Sequence, residues 1–281
     1  MLIESEPMTP MTNEPGEPFP PPAAAKAVIR LEQVSVSYRA PSERISSIKE
    51  YAIRALKGGV KHQEFRALAE VSFEVGAGEV FGIVGHNGAG KSTLLKVISR
   101  VLWPTGGRVW VEGHVAPLLE LGAGFHSELS GRENVFLNGT LLGLKRAQIK
   151  SLFDEIVDFA ELWDFVDAPL RTYSTGMAMR LGFAVATALR PDILLMDEVL
   201  SVGDERFQEK CAARMTEFRQ QGTTILLVTH DSRLVISMCD RAVWLDHGRM
   251  GAIGAVDQVI SAYHDAANQT QPRLQVRSLP A

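Results

Sequence analysis

The stretch Gly85-His86-Asn87-Gly88-Ala89-Gly90-Lys91-Ser92-Thr93 decides the reading of this chain. It follows the apolar run Val80-Phe81-Gly82-Ile83-Val84 and precedes Leu94-Leu95-Lys96-Val97-Ile98, whose spacing predicts a helix. A strand, a Gly-rich turn and a helix are the context in which G-x-x-x-x-G-K-[ST] builds a phosphate-binding loop. Each residue type has a reason. Glycines let the backbone curl close to a polyphosphate, so that successive N–H groups point inward. The following helix N-terminus adds its partial positive charge. Lys91 reaches β- and γ-phosphates, and the Ser92 hydroxyl is placed to ligate Mg²⁺. The bland alternative is a Gly-rich turn that happens to precede a lysine. The flanking strand and helix argue against it, and a nucleotide site is expected over Gly85–Thr93.

Two further polar clusters fall where an open parallel sheet delivers functional groups, at the C-terminal ends of apolar strands. Ile193-Leu194-Leu195-Met196 ends in Asp197-Glu198, and Thr224-Ile225-Leu226-Leu227-Val228 leads to Thr229-His230. With a phosphate loop upstream, Asp197 reads as the acid that holds Mg²⁺ and Glu198 as the base that orients or deprotonates the attacking water. Two acids after a strand are commonly just a solvated strand end; the upstream loop shifts the weight to catalysis. His230 reads as a γ-phosphate contact, against the bland reading of a structural histidine.

The 281-residue chain is long enough for one large domain or two small ones. Its 22 % charged and 46 % hydrophobic residues are those of a soluble globular protein. A net charge of −4 offers no global attraction to nucleic acid or anionic lipid, and no nucleic-acid partner is expected. No apolar run reaches the roughly 18 residues of a membrane span, and no signal-peptide pattern is present. Cys211 and Cys239 lack a metal or redox spacing and are expected to be packed, reduced thiols.

In chain order, residues 1–26 are rich in Pro, Glu and Ala and read as a disordered lead. Ala27–Tyr38 and Leu68–Val75 alternate like half-buried strands. Between them, residues 39–65 form an insert in which Ile45, Ile48, Ala52 and Leu56 recur at helical spacing before Gly58-Gly59. Periodicity alone slightly favours a surface helix docked on its own domain over one that meets a partner or the membrane interface. One or two short strands are expected over Arg108–Val115. A mainly helical region of about 116–190 follows, with helices at Arg132–Leu142, Arg146–Phe159 and Gly176–Leu189. Ala242–Ile253 has the pattern of a hairpin. A short helix near Val256–Ala266 and a flexible tail of 266–281 close the chain.

Tyr173-Ser174-Thr175-Gly176-Met177-Ala178-Met179-Arg180, upstream of the Asp197-Glu198 strand, resembles the signature motif of ABC-type ATPases, commonly Leu-Ser-Gly-Gly-Gln. Loop, signature, acidic pair and histidine come in that family's order, so the resemblance covers about residues 27–265. It implies an α/β fold of the P-loop NTPase (ABC ATPase) type. The implied parts are an N-terminal antiparallel β subdomain, a mostly parallel core sheet and a helical subdomain. It implies ATP and Mg²⁺ as ligands and a head-to-tail homodimer. In that dimer Ser174 and Gly176 of one copy face the γ-phosphate held by Lys91 of the other. Tyr38 matches the aromatic that stacks on adenine, and Ser201-Val202-Gly203-Asp204 resembles the loop coupling the two sites.

Finer matches point to one branch. The Tyr-Ser-Thr-Gly-Met form, Asp197-Glu198-Val199-Leu200-Ser201-Val202-Gly203-Asp204, Leu118–His126 and Gly131-Arg132-Glu133-Asn134-Val135 each resemble ATP-binding subunits of bacterial polysaccharide exporters. That branch moves O-antigen, capsule or teichoic acid. The resemblance implies a lipid-linked glycan as cargo, a separate polytopic permease as partner, and a station on the cytoplasmic face of the inner membrane. It also makes the partner or membrane reading of the 39–65 insert the leading one. The chain departs from the family in three ways. Glu120 or Leu121 stands where a glutamine is usual. Thr175 replaces a glycine, which requires a negative φ there. The sequence leaves no room for the C-terminal carbohydrate-binding domain of some O-antigen members. The rival class is a soluble ABC ATPase of translation or repair, which usually carries two cassettes or long coiled-coil inserts. A nucleotide kinase sharing only the phosphate loop is a third reading.

Overall fold

The computed structural model describes residues 26–41, 62–118, 122, 124–197 and 203–270. Strand β1 (Ala27–Pro41) pairs antiparallel with β2 (His62–Gly76), from Ala27 opposite Gly76 to Pro41 opposite His62. Alternation sends Ile29 and Leu31 inward, but the next buried residue is Val34, out of step by one. A bulge corrects the step: the register shifts between Leu31 and Val34, Gln33 takes a left-handed φ of 49°, and its N–H donates to Ser72 Oγ at 2.8 Å. Strand β4 (Gly106–Val111) flanks β1 on its other side, completing a sheet of order β2-β1-β4.

The second sheet contains β3 (Val80–Val84), β5 (Val115–Pro117), β6 (Ile193–Asp197), β7 (Thr224–Val228), β8 (Arg241–Asp246) and β9 (Arg249–Ala255). Its order is β5-β6-β7-β3-β8-β9, parallel throughout except for the β8–β9 hairpin. The expected Arg108–Val115 segment therefore divides between two sheets, with Gly113 at φ 109° in the turn. A Cβ there would come within 2.7 Å of the Asp192 side chain, and Asp192 in turn accepts the His114 N–H.

Strands β6 and β7 are apolar on both faces because both faces are covered. Ile193, Leu195, Leu226 and Val228 pack with Leu94, Leu95 and Ile98 of helix α1 (Lys91–Ile98) and with the antiparallel sheet. Leu194, Met196, Ile225 and Leu227 face Phe207, Cys211, Met215 and Phe218. Those four lie on α5 (Glu205–Gln220), which connects β6 to β7. Helix α6 (Ser232–Met238) connects β7 to β8, and α7 (Val256–Thr270) packs Val259 and Ile260 beside Val84 and Ala242. Helices α2 (Gly131–Leu141), α3 (Arg146–Ala160) and α4 (Thr175–Ala186) enclose their own apolar cluster around Val135, Ile149, Phe153, Ile156 and Leu181. No described helix is long and apolar enough to cross a membrane.

Three boundaries differ from the sequence expectation. Helix α4 ends at Ala186 rather than Leu189, with Thr187 as its C-cap. Helix α7 reaches Thr270, past the expected stop at Ala266, because Ala266-Ala267-Asn268-Gln269 contains no breaker. The 39–65 insert tells a similar story at its ends: β1 runs to Pro41 and β2 starts at His62, so residues 39–41 and 62–65 belong to the paired strands. Its core, 42–61, with the expected helix, lies outside the described residues, as do 1–25 and 271–281.

The loop entering α2 is held by one buried amide. Asn134 Nδ2 donates to the carbonyls of His126, Leu129 and Ser130 at 3.0, 3.1 and 2.9 Å, and its Oδ1 accepts the His126 N–H at 2.7 Å. Ser130 and Glu133 form a reciprocal capping box at the same helix start. Asn134→Asp turns a carboxylate onto three carbonyl oxygens, so thermal unfolding should show a loss of about 3 kcal/mol. The N–H of Ser130, with its hydroxyl, holds the Glu133 carboxyl below its ordinary range. A depressed folded pKa stabilises above the unfolded glutamate value of about 4.3 and loses that effect as pH falls through the lower folded value. Denaturation midpoints of Glu133→Gln should accordingly fall off less steeply than wild type over that acid range.

Candidate functional site

The strand order brings the expected groups to one sheet edge. In the parallel register, Val228 of β7 lies opposite Ile83 of β3 on one side and Asp197 of β6 on the other. At this edge therefore come together Gly85, one step past β3, the Thr229-His230 corner after β7, and Asp197, the last residue of β6. The loop then turns into α1 through Gly90, which caps the helix at φ 106° with no side-chain cap. A Cβ on Gly90 would sit 2.6 Å from the Ala67 carbonyl oxygen, so only glycine allows this approach to β2. Gly88, at φ 84°, faces open space instead. With no side chain to receive them, the first-turn N–H groups of α1 are directed at whatever the loop encloses, which suits an anion.

Lys91 is nearly buried, and its ammonium bridges the loop by donating to the carbonyls of Gly85 at 2.7 Å and His86 at 3.1 Å. A cavity of about 360 Å³ above the loop is lined by Tyr38, Asn87, Gly88, Gly90, Lys91, Ser92, Thr93 and Asp197, with Phe65 and Ala67. Two carbonyl-anchored turns, Gly248 N–H to Ala89 O at 2.9 Å and Ala69 N–H to Gly248 O at 2.8 Å, tie this loop to the β8–β9 hairpin and to β2. The donor set fits a polyphosphate: backbone N–H groups, one ammonium, and a hydroxyl and carboxylate, Ser92 and Asp197, sharing the wall for a hard cation.

Phe65 is the residue that the sequence reading missed. It lies directly opposite Tyr38 in the β1–β2 register, and both rings are exposed at the cavity mouth. The signal was available only through pairing, because Phe65 sits at the far end of the insert in sequence. A flat apolar platform beside a phosphate cradle fits a nucleobase.

Ser174 and Gly176 lie elsewhere. They line a second cavity of about 410 Å³ with Glu161, Phe165, Met177, Arg180, Gly203 and Asp204, sharing no residue with the first. Ser174 caps α4, its Oγ accepting the Met177 N–H at 3.2 Å. Thr175 has no positive φ, as its replacement of a glycine requires. Gly176 would admit a Cβ with only Ser174 Oγ at 3.8 Å, so this helix start is open to a ligand. Asp204 caps α5 through the Phe207 N–H and takes Arg180 at 2.7 Å; both hold its carboxyl below the usual range, the N–H first. The start of α4 is thus presented on a face of its own. His230 is exposed beyond β7. Glu198, Glu120, Leu121, Ser201 and Val202 lie outside the described residues. Burial pushes the Cys211 thiol up to about 11 and Cys239 up to about 12, in keeping with packed thiols that take no part in the site.

The sequence profile of the family described as "ABC transporter" matches residues 68–201. An O-antigen export system ATP-binding protein of Klebsiella pneumoniae is 43 % identical over 245 residues, covering 85 % of this chain and 98 % of that protein. The like-named protein of Myxococcus xanthus is 42 % identical over 265 residues, 92 % of this chain but 60 % of its own length. A teichoic acids export ATP-binding protein of Lactococcus lactis is 46 % identical over 201 residues, 72 % of this chain and 43 % of its own. The chain therefore spans nearly all of the first relative and about three fifths or less of the other two. Among solved structures, an ATP-binding subunit of an ABC transporter superposes with a TM-score of 0.66 at 23 % identity, covering 84 % of this chain and 93 % of that one. A dimeric ATP-binding cassette bound to ADP and Pi gives 0.64 at 22 %, covering 81 % and 98 %. At these identities the superpositions establish the fold alone.

Removing either ring of the aromatic platform should cost about 1–2 kcal/mol of adenine-nucleotide affinity. Titration of Tyr38→Ala and Phe65→Ala with a fluorescent ATP analogue measures this. Binding of tripolyphosphate, which has no base, should stay unchanged in both.

Proposed function

We propose, from the premise that this chain belongs to the ABC transporter family and within it to the ATP-binding proteins of polysaccharide export, that it hydrolyses ATP to drive a lipid-linked polysaccharide of O-antigen type across the inner membrane. The chain works as a homodimer docked on a separate polytopic permease at the cytoplasmic face. The observation that carries this reading is the separation of two half-sites. One cavity has the phosphate loop and base platform, the other has Ser174 and Gly176, and among the described residues none lines both. A second copy, set head to tail, brings the second half-site over the first.

In that arrangement Lys91 and the N–H groups of Gly88–Thr93 bind the β- and γ-phosphates, while Tyr38 and Phe65 hold the base. Ser92 and Asp197 would hold Mg²⁺, which neutralises charge on the phosphates. The partner copy's α4 start, with Ser174 and Gly176, faces the γ-phosphate with its N–H groups and helix dipole. His230, at the strand end next to Asp197, contacts the same phosphate. Glu198 orients water in line with the γ-phosphorus and takes its proton as the β–γ bridging bond breaks, leaving ADP and phosphate. Binding closes the dimer, and hydrolysis reopens it.

Glu198→Gln should bind ATP normally and lose roughly 10²–10³-fold in turnover, the scale of a general base. Wild-type turnover in that variant would remove Glu198 from this role. Sharing of sites has a sharper test in mixed dimers. Lys91→Ala and Ser174→Arg should each be inactive alone, yet mixed dimers of the two regain ATPase activity because one of their two sites is intact. If mixing restores nothing while each variant still dimerises, each copy hydrolyses ATP without its partner.

A further inference from the structure

The turn between β8 and β9 carries a histidine where its geometry favours asparagine. Asp246 ends β8, Arg249 starts β9, and the two residues between them, His247 and Gly248, both have positive φ, 45° and 78°. Such two-residue hairpins select Asn-Gly or Asp-Gly, and a histidine in the left-handed region costs roughly 1 kcal/mol. What the strained residue gains is proximity. Its ring lies 4.6 Å, centroid to centroid, from that of His86, the second residue of the phosphate loop.

His86 itself is held from both sides of its ring. Its Nδ1 is 2.7 Å from the Asn87 carbonyl, which only accepts, so Nδ1 carries the hydrogen. Its Nε2 lies 3.1 Å from Oδ1 of Asp246: the protonated ring donates to that carboxylate as an ion pair, and the neutral ring turns a lone pair toward it. The same carboxylate oxygen lies 3.8 Å from Nε2 of His247. Two imidazole nitrogens and a carboxylate oxygen converge, all within 4.8 Å of one another. In the neutral ring a cation between these atoms takes the place of the Nε2 proton, and the Asn87 carbonyl holds the His86 ring as backbone carbonyls hold metal-ligating histidines.

We propose that His86 Nε2, Asp246 Oδ1 and His247 Nε2 form a three-ligand site for a borderline transition-metal ion of the zinc class, bridging the phosphate loop and the β8–β9 turn. Two imidazoles with one carboxylate select Zn²⁺, Co²⁺, Ni²⁺ or Cu²⁺ over Mg²⁺, which prefers an all-oxygen shell. Bonds of about 2.0–2.1 Å in a tetrahedron set ligand atoms about 3.3 Å apart. The His86–Asp246 pair already meets that spacing, and the His247 ring, exposed on the surface, closes the remaining gap by a small rotation. Three protein ligands leave a fourth position for water. Neither Asp246 nor His247 lines the nucleotide cavity, so the site is separate from the one that holds Mg²⁺.

The test uses the full, untagged chain stripped of metal by chelator, with no nucleotide present. Titration with Zn²⁺ against a competing chromophoric chelator should give one ion per chain, and Co²⁺ should give the intense visible bands of a tetrahedral N/O site. His247→Asn keeps the left-handed turn, since Asn tolerates that conformation. It should leave metal-free thermal unfolding unchanged or slightly raised, while weakening Zn²⁺ at least tenfold. Asp246→Asn should weaken it comparably. Zn²⁺ affinity and Co²⁺ spectra identical in wild type and His247→Asn would overturn the assignment, as would binding of no ion by the wild type. The measurement involves no ATP, so its outcome stands apart from that of the mixed-dimer experiment.

Discussion

The register that sets Ile83 and Asp197 on either side of Val228 is the constraint on which the site depends. Strands β6, β7 and β3 are far apart in sequence, and Asp197 at the end of β6 or Thr229-His230 after β7 would each be an ordinary solvated strand end on its own. Parallel pairing in the order β6-β7-β3 aligns those ends. The phosphate loop, the Thr229-His230 corner and Asp197 then open on one edge of one sheet. The two-sided burial of Ile193–Met196 and Thr224–Val228 makes the alignment firm, because a one-residue slip would exchange the α1-facing and α5-facing side chains.

In the proposed function that sheet edge takes the phosphates, and the antiparallel sheet takes the base. The β1–β2 hairpin passes over α1 and brings Tyr38 and Phe65 to the mouth of the cavity. Its contact with the loop is direct. Gly90 approaches the Ala67 carbonyl, and Gly248 hydrogen-bonds both Ala89 and Ala69, so β2, the loop and the β8–β9 turn are tied together. A device that reports on the turn, such as the His86–Asp246–His247 cluster, therefore reports on the loop as well.

The helical region α2–α4 has a core of its own and uses it to display one helix start. Asn134, wholly buried, ties the 126–130 loop to α2, while Ser174 caps α4. Its cavity carries anion-binding groups without a base platform, just as the loop cavity has a platform and a cradle without a second wall. Under the proposed head-to-tail pairing, each is half of a nucleotide site.

By itself the sequence determined the parts. Strand–loop–helix over Val80–Ile98, the acid at Asp197, the signature at Ser174 and Gly176 and the branch of exporters all rest on local residue order, and helix and strand identities followed from period and breakers. Tertiary structure decided what periodicity cannot carry. The bulge at Gln33, the place of Phe65 beside Tyr38 and the division of Arg108–Val115 between two sheets depend on pairing between distant segments. So does the meeting of His86 with His247 across 160 residues of chain between His86 and Asp246. Local order encodes which backbone conformation each segment prefers; only the packed sheet decides which segments become neighbours, because the free energy that selects the partner is buried apolar area shared between them.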